Sequence, residues 1–122
     1  MEKVELARRA VACNRWRWLP GMLVQDGERM TDWGYPAFST IDVGATGVAE
    51  TVEWGDVPRR SLPDLTDPAT LGCLLALVRK AWREPDAYIA PADGWFVNVR
   101  FGVHFEAPTE AAALVAALEA AP

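Results

Sequence analysis

The segment from Asp67 to Trp82, DPATLGCLLALVRKAW, constrains the fold more than any other part of the chain. The Asp67 carboxylate can accept hydrogen bonds at a helix N-terminus, and Pro68 suits the first helical position, which needs no N–H. Apolar side chains then recur at helical spacing, at Leu71, Leu74, Leu75, Val78 and Trp82. This run is apolar nearly all round, which predicts a helix buried on most sides and acting as the central core element.

Helices are also predicted near both ends of the chain. In residues 2–13, an apolar stripe of Val4, Ala7 and Val11 recurs at helical spacing, with charged residues on the other face. Thr109 can cap a helix over residues 110–121, EAAALVAALEAA, whose stripe includes Leu114 and Leu118. The chain therefore places one predicted helix before, and one after, the central helix.

Short β-type runs fill the remaining segments. MLVQ (22–25) precedes an Asp-Gly turn, and FSTIDV (38–43) and TGVAETVEW (46–54) allow two to three antiparallel strands in all. After the central helix, AYIA (87–90), an Asp-Gly turn and WFVNVRFGV (95–103) predict a hairpin whose second strand places Phe101 on one face with Val97 and Val99. The order α-β-β-(β)-α-β-β-α predicts one α+β domain, residues 1–122, with an antiparallel sheet.

Composition narrows the classes of function. The 122 residues carry a net charge of −5, which opposes binding to duplex DNA. Against that background, residues 1–20 are locally basic. The chain shows neither a secretory leader nor an apolar stretch long enough to cross a membrane, and its two cysteines suit a reduced compartment. A cytoplasmic location is expected.

Catalytic patterns find little support. His104 is the single histidine, and no serine lies in a nucleophile-elbow motif. Asp64 and Asp67 lack a nearby histidine or cysteine to complete a metal site, and Asp67 is better used as a helix cap. We therefore expect a protein that is not an enzyme and that needs neither a metal nor a cofactor.

The basic segment RWRW, residues 15–18, favours binding instead. If this segment is extended, Trp16 and Trp18 share one face, and Arg15 and Arg17 share the other. Tryptophan rings can stack on bases, and arginine forks match phosphates. The same rings could equally pack under the first helix and leave the arginines solvated. Other residues that could complete a ligand site are Trp33, Tyr35, Arg59, Arg60 and Arg100, although the Arg59–Arg60 pair could be a solvated loop.

Three segments carry a resemblance to a group of proteins. CNRWRWLPGM (13–22), LPDLTDPATLGCLLALVRKAW (62–82) and TEAAALVAALEAAP (109–122) are similar to stretches of small accessory proteins of bacteriophages and prophages. The resemblance implies a phage-encoded protein acting in the cytoplasm of a bacterial host, and it supplies no catalytic residue. By analogy with other small phage proteins, it also implies a role against bacterial defence.

Two functions follow as hypotheses. The first is a sponge, a homo-oligomer that sequesters a cyclic nucleotide or an ADP-ribose-derived immune signal through tryptophan stacking and arginine–phosphate contacts. The alternative is an inhibitor that binds a host defence protein through an acidic surface, which would include Asp26, Glu28, Asp32, Glu50, Glu53 and Asp56. A third hypothesis is a DNA- or RNA-associated accessory of phage replication. The net charge disfavours it, although single-strand binding by stacking stays open.

Overall fold

The computed structural model of the chain describes residues 3–31 and 61–122. Its elements, in chain order, are α1 (Lys3–Ala12), α2 (Pro68–Trp82), β1 (Tyr88–Ala92), β2 (Gly94–Arg100), β3 (Val103–Ala107) and α3 (Glu110–Glu119). The predicted α+β fold, with three helices and an antiparallel sheet, is confirmed. The predicted runs at 38–43 and 46–54 lie outside the described residues.

The sheet is an antiparallel meander in the order β1-β2-β3. The predicted turn at Asp93-Gly94 joins β1 to β2, and Gly94 adopts a φ of +98°. A Cβ atom at this position would lie 2.7 Å from the main-chain oxygen of Ala107, so the turn requires glycine.

The prediction of a single strand over residues 95–103 is wrong. The strand ends at Arg100, with a register shift between Asn98 and Arg100, and a turn at Phe101-Gly102 leads into β3. Gly102 takes a φ of +78°, which permits the tight reversal. Phe101 therefore lies on the turn, 102% exposed, instead of sharing the buried face of Val97 and Val99.

The run MLVQ forms isolated bridges in place of a full strand. Leu23 bridges Arg29 around the predicted Asp26-Gly27 turn, and Val24 bridges Pro63. The bridge to Pro63 brings this run against the segment that leads into α2.

The core is organised around α3. This helix buries Leu114, Val115 and Leu118 and contacts α1, α2, β2 and β3. By contrast, α2 is buried mainly on one side, since Ala76 is exposed and Leu75 is half-buried. The expectation that α2 is buried on most sides, as the central element, therefore does not hold, because the sheet and the other helices pack around α3.

A set of hydrogen bonds holds the N-terminus of α2. The Asp67 carboxylate accepts from the Thr70 N–H and hydroxyl, both at 2.9 Å, so Asp67 is the helix cap that the sequence predicts. Arg29 donates two bonds to the same carboxylate, at 2.9 and 3.0 Å. The Thr70 hydroxyl also accepts from the Leu23 N–H at 2.8 Å. The bonds from Arg29 hold the pKa of Asp67 well below its usual range.

Candidate anion-binding pocket

A basic pocket forms where the segment after α1 passes the C-terminal end of α2. Its volume is about 400 Å³, and its lining residues are Arg15, Arg17, Leu77, Lys80, Ala81 and Arg83. On α2, Lys80 and Ala81 follow Leu77 by three and four residues, so all three lie on one helix face. The pocket thus combines four cations from two segments that are far apart in sequence.

The apolar part of the pocket is provided by α2. Leu77 is 4% exposed and belongs to the hydrophobic core, while Ala81 packs partly against that core. A cavity of this volume is within the usual size range of small-molecule sites, which combine apolar walls with a few placed polar groups. The pocket therefore has room for a ligand of nucleotide size.

The two arginines of RWRW are held by main-chain oxygens. Arg17 donates to the carbonyl oxygens of Asn14 at 3.2 Å and Trp16 at 2.6 Å, and Arg15 donates to the main-chain oxygen of Pro122. The bonds of Arg17 to these two carbonyl groups orient its guanidinium without neutralising its charge. Within residues 3–31 and 61–122, no Asp or Glu side chain forms an ion pair with any of the four pocket cations. The pocket is therefore a concentration of positive charge on an acidic chain.

The backbone of Arg83 adopts an unusual conformation. It follows the last residue of α2 with a φ of 54° and a ψ of 41°, the left-handed region that glycine usually occupies at a helix end. Its N–H donates to the Arg79 and Lys80 carbonyls and so closes the helix. An arginine here carries a conformational cost of about 1 kcal/mol, which a glycine would avoid.

The tryptophans of RWRW face the protein interior. Trp16 is 7% exposed and lies in the core, and Trp18 packs half-buried against the core with its ring centroid 5.4 Å from that of Trp16. The segment does separate rings from arginines as predicted, but the ring side is the core side. Of the two alternatives for Trp16, packing in the core is therefore the one in the structure, and its ring offers no free face to a base.

Arg100 lies apart from this pocket. Its guanidinium donates to the Trp82 carbonyl at 3.0 Å and lies over the Trp82 ring, 4.9 Å from the ring centroid. It therefore supports the end of α2 and does not line the basic pocket. The predicted ligand residues Trp33, Tyr35, Arg59 and Arg60 lie outside the described residues.

Two pocket cations, Lys80 and Arg83, were not among the predicted site residues. Lys80 lies in the last turn of α2 and Arg83 directly follows the helix, where positive charge already has a structural explanation in the helix dipole. Only the packing of residues 15–17 against this helix end brings them together with Arg15 and Arg17. No local sequence pattern marks that contact.

The remaining candidate groups do not line the basic pocket in the part of the chain that the structure describes. His104 is exposed, with its Nε2 atom 3.8 Å from a Glu106 oxygen, and no cluster of three or more metal-ligating side chains occurs in the part of the chain that the structure describes. Of the acidic residues proposed for a protein-binding surface, Asp26 accepts the Glu28 N–H at 2.9 Å and so shapes its turn. Asp32, Glu50, Glu53 and Asp56 lie outside the described residues.

Comparisons of the chain with protein-family models, with curated proteins and with solved structures gave no match. The resemblance to phage accessory proteins therefore stays a prediction. None of the helices in the described ranges has the length and apolar character needed to cross a membrane.

Proposed function

We propose that this protein binds a phosphorylated small molecule in the basic pocket and sequesters it without chemical conversion. The candidate ligands are a cyclic nucleotide or an ADP-ribose-derived immune signal, met in the cytoplasm of a phage-infected bacterium. The observation that carries the proposal is the group of four cations around the Leu77 and Ala81 wall, on a chain whose net charge is −5.

The side chains of the pocket suit a ligand that carries a phosphate group. Guanidinium groups donate paired hydrogen bonds that match phosphate oxygens, and lysine adds a compact positive charge. Arg17 is already oriented by the Asn14 and Trp16 carbonyls, so binding costs it less side-chain entropy than a free surface arginine would lose. Leu77 and Ala81 can contact the sugar or base.

The burial of Trp16 changes the binding mechanism that the sequence predicts. Because Trp16 is buried, we assign the affinity to phosphate contacts and to the apolar wall, and not to stacking on the Trp16 ring. Binding should therefore weaken as salt rises, since phosphate contacts with exposed cations are screened.

The test is calorimetric titration with cyclic dinucleotides, ADP-ribose and pyrophosphate, using the native chain and the double variant Arg17→Ala/Lys80→Ala. Two lost charge-assisted bonds, at about 1.5 kcal/mol each, should raise Kd about 100-fold for the compound that binds. Arg8→Ala is the matched control, because Arg8 is an exposed cation that pairs with Glu5 on its own helix. Mass spectrometry should recover the ligand unchanged.

Two results would contradict the proposal. One is the same affinity for the native chain and a folded Arg17→Ala/Lys80→Ala variant, which would place the ligand elsewhere. The other is the absence of binding by every compound in the panel, including pyrophosphate.

A further inference from the structure

The sheet has a second surface, on the side away from the core. Val97 and Val99 of β2 are fully buried, while Phe96 lies on the opposite face of the same strand. There the Phe96 ring lies between Tyr88 and His104, at centroid distances of 6.0 and 6.3 Å. This row of rings crosses all three strands.

Two large hydrophobic side chains at this end of the sheet are exposed. Tyr88 is 46% exposed and Phe101 is 102% exposed, and they are the two large apolar side chains with that exposure in the described residues. Both line a cavity of about 260 Å³ that also includes Glu84, Asp86 and Arg100. We call the part formed by Glu84, Asp86, Tyr88 and Phe101 the acidic-aromatic face.

The charge of this face is negative. Glu84 and Asp86 make no ion pair within the described ranges, so their two negative charges exceed the single positive charge of Arg100, whose guanidinium is held against the Trp82 carbonyl and ring. Exposed aromatic rings beside carboxylates attract cations, because the ring face and the carboxylate both carry negative potential. An anion is disfavoured here for the same reason.

We propose that the acidic-aromatic face docks a basic, arginine-bearing segment of a partner protein. The arginine stacks on Tyr88 or Phe101 and forms ion pairs with Glu84 and Asp86. A planar guanidinium suits this site better than an ammonium, since it stacks on a ring and pairs with a carboxylate at once. This site is separate from the basic pocket and does not depend on the function proposed for it.

A second copy of the chain is a weaker candidate for this position. Each copy carries a net charge of −5, so electrostatic repulsion opposes the approach of a second copy, whereas a basic segment is attracted. The charge complementarity therefore favours a segment from another protein.

Fluorescence anisotropy can test the docking of a basic segment on the acidic-aromatic face. The probes are three labelled peptides in which glycine alternates with arginine, lysine or glutamate. The arginine peptide should bind most tightly and the glutamate peptide not at all, and binding should weaken at high salt. Phe101→Ser should raise Kd about two- to fivefold, the effect of an exposed cation–π contact. Glu84→Gln with Asp86→Asn should raise it further, while Arg17→Ala should leave it unchanged.

Phe101 is on an exposed turn, so its serine variant should fold, and thermal unfolding checks this. Equal binding of the arginine peptide by the native chain and the folded Phe101→Ser variant would overturn the proposal, as would the absence of binding. Self-association in sedimentation velocity that Phe101→Ser abolishes would also overturn it, and would assign the face to a second copy.

Discussion

The two ends of α2 use charged side chains in different ways. At the N-terminus, Asp67 is matched by Arg29 and by both polar groups of Thr70. At the C-terminal end of α2, Lys80 and Arg83 join two arginines of another segment, and none of the four pairs with an Asp or Glu side chain in the described residues. The comparison indicates that charge with partners stabilises this fold, whereas charge left without an ion pair is available to a ligand.

The largest effect on stability is expected at the N-terminal end of α2. Asp67→Ala removes the helix cap and the acceptor for Arg29, and the lost cap alone should lower the free energy of unfolding by about 1 kcal/mol. Urea denaturation measures the loss, and Arg29→Ala completes a double-mutant cycle in which the two effects are not additive. If Asp67→Ala lowers the free energy of unfolding no more than an ordinary surface substitution does, the paired charge at this end of α2 does not stabilise the fold.

At the C-terminal end of α2, Arg83→Gly should raise the stability of the protein and weaken ligand binding. Glycine adopts the left-handed conformation without strain, so the variant should gain up to about 1 kcal/mol of stability. It should also bind the phosphorylated ligand more weakly, because one pocket cation is lost. Thermal unfolding and calorimetry measure the two quantities, with Lys80→Ala as the control that removes a cation without changing a strained backbone position. A variant that binds as the native chain does would exclude Arg83 from the site.

The smallest change in the free energy of unfolding is expected from Asp67→Asn, and this change should depend on pH. Asparagine still caps a helix but carries no charge, so this variant isolates the ion pair with Arg29. The pKa of Asp67 is lowered in the folded protein. Its charge therefore stabilises fully above the unfolded pKa of about 4, and this contribution is lost as pH falls towards the folded pKa.

Unfolding in urea at several pH values should therefore show the native chain and Asp67→Asn converging in stability below about pH 4. A difference that is constant with pH would show that the ion pair contributes nothing, and that Asp67 acts through its capping bonds alone.

Local features of the fold were predictable from the sequence. Asp67 and Pro68 start α2 as predicted, and Thr109 caps α3, because capping depends on residues within one turn of each other. The break between β2 and β3 was missed, since the alternation of side chains continues through Phe101. The register shift between Asn98 and Arg100 and the positive φ of Gly102 show the turn in the structure.

The candidate site was predictable in part. The sequence separates Arg15 and Arg17 from the rings beside them, but it does not say which side meets the core. The burial of Trp16 and the approach of the arginines to Lys80 depend on how α1 and α2 pack, which is a tertiary property. Such contacts between distant segments leave no periodic signal in either segment.

The position of α3 also affects how the protein folds during synthesis. The helix that contacts α1, α2 and two strands is the last described element in the chain. Until residue 119 has left the ribosome, the apolar faces of the earlier elements lack the helix on which they pack. The nascent chain therefore cannot complete its core stepwise from the N-terminus, and folding must await the end of this segment.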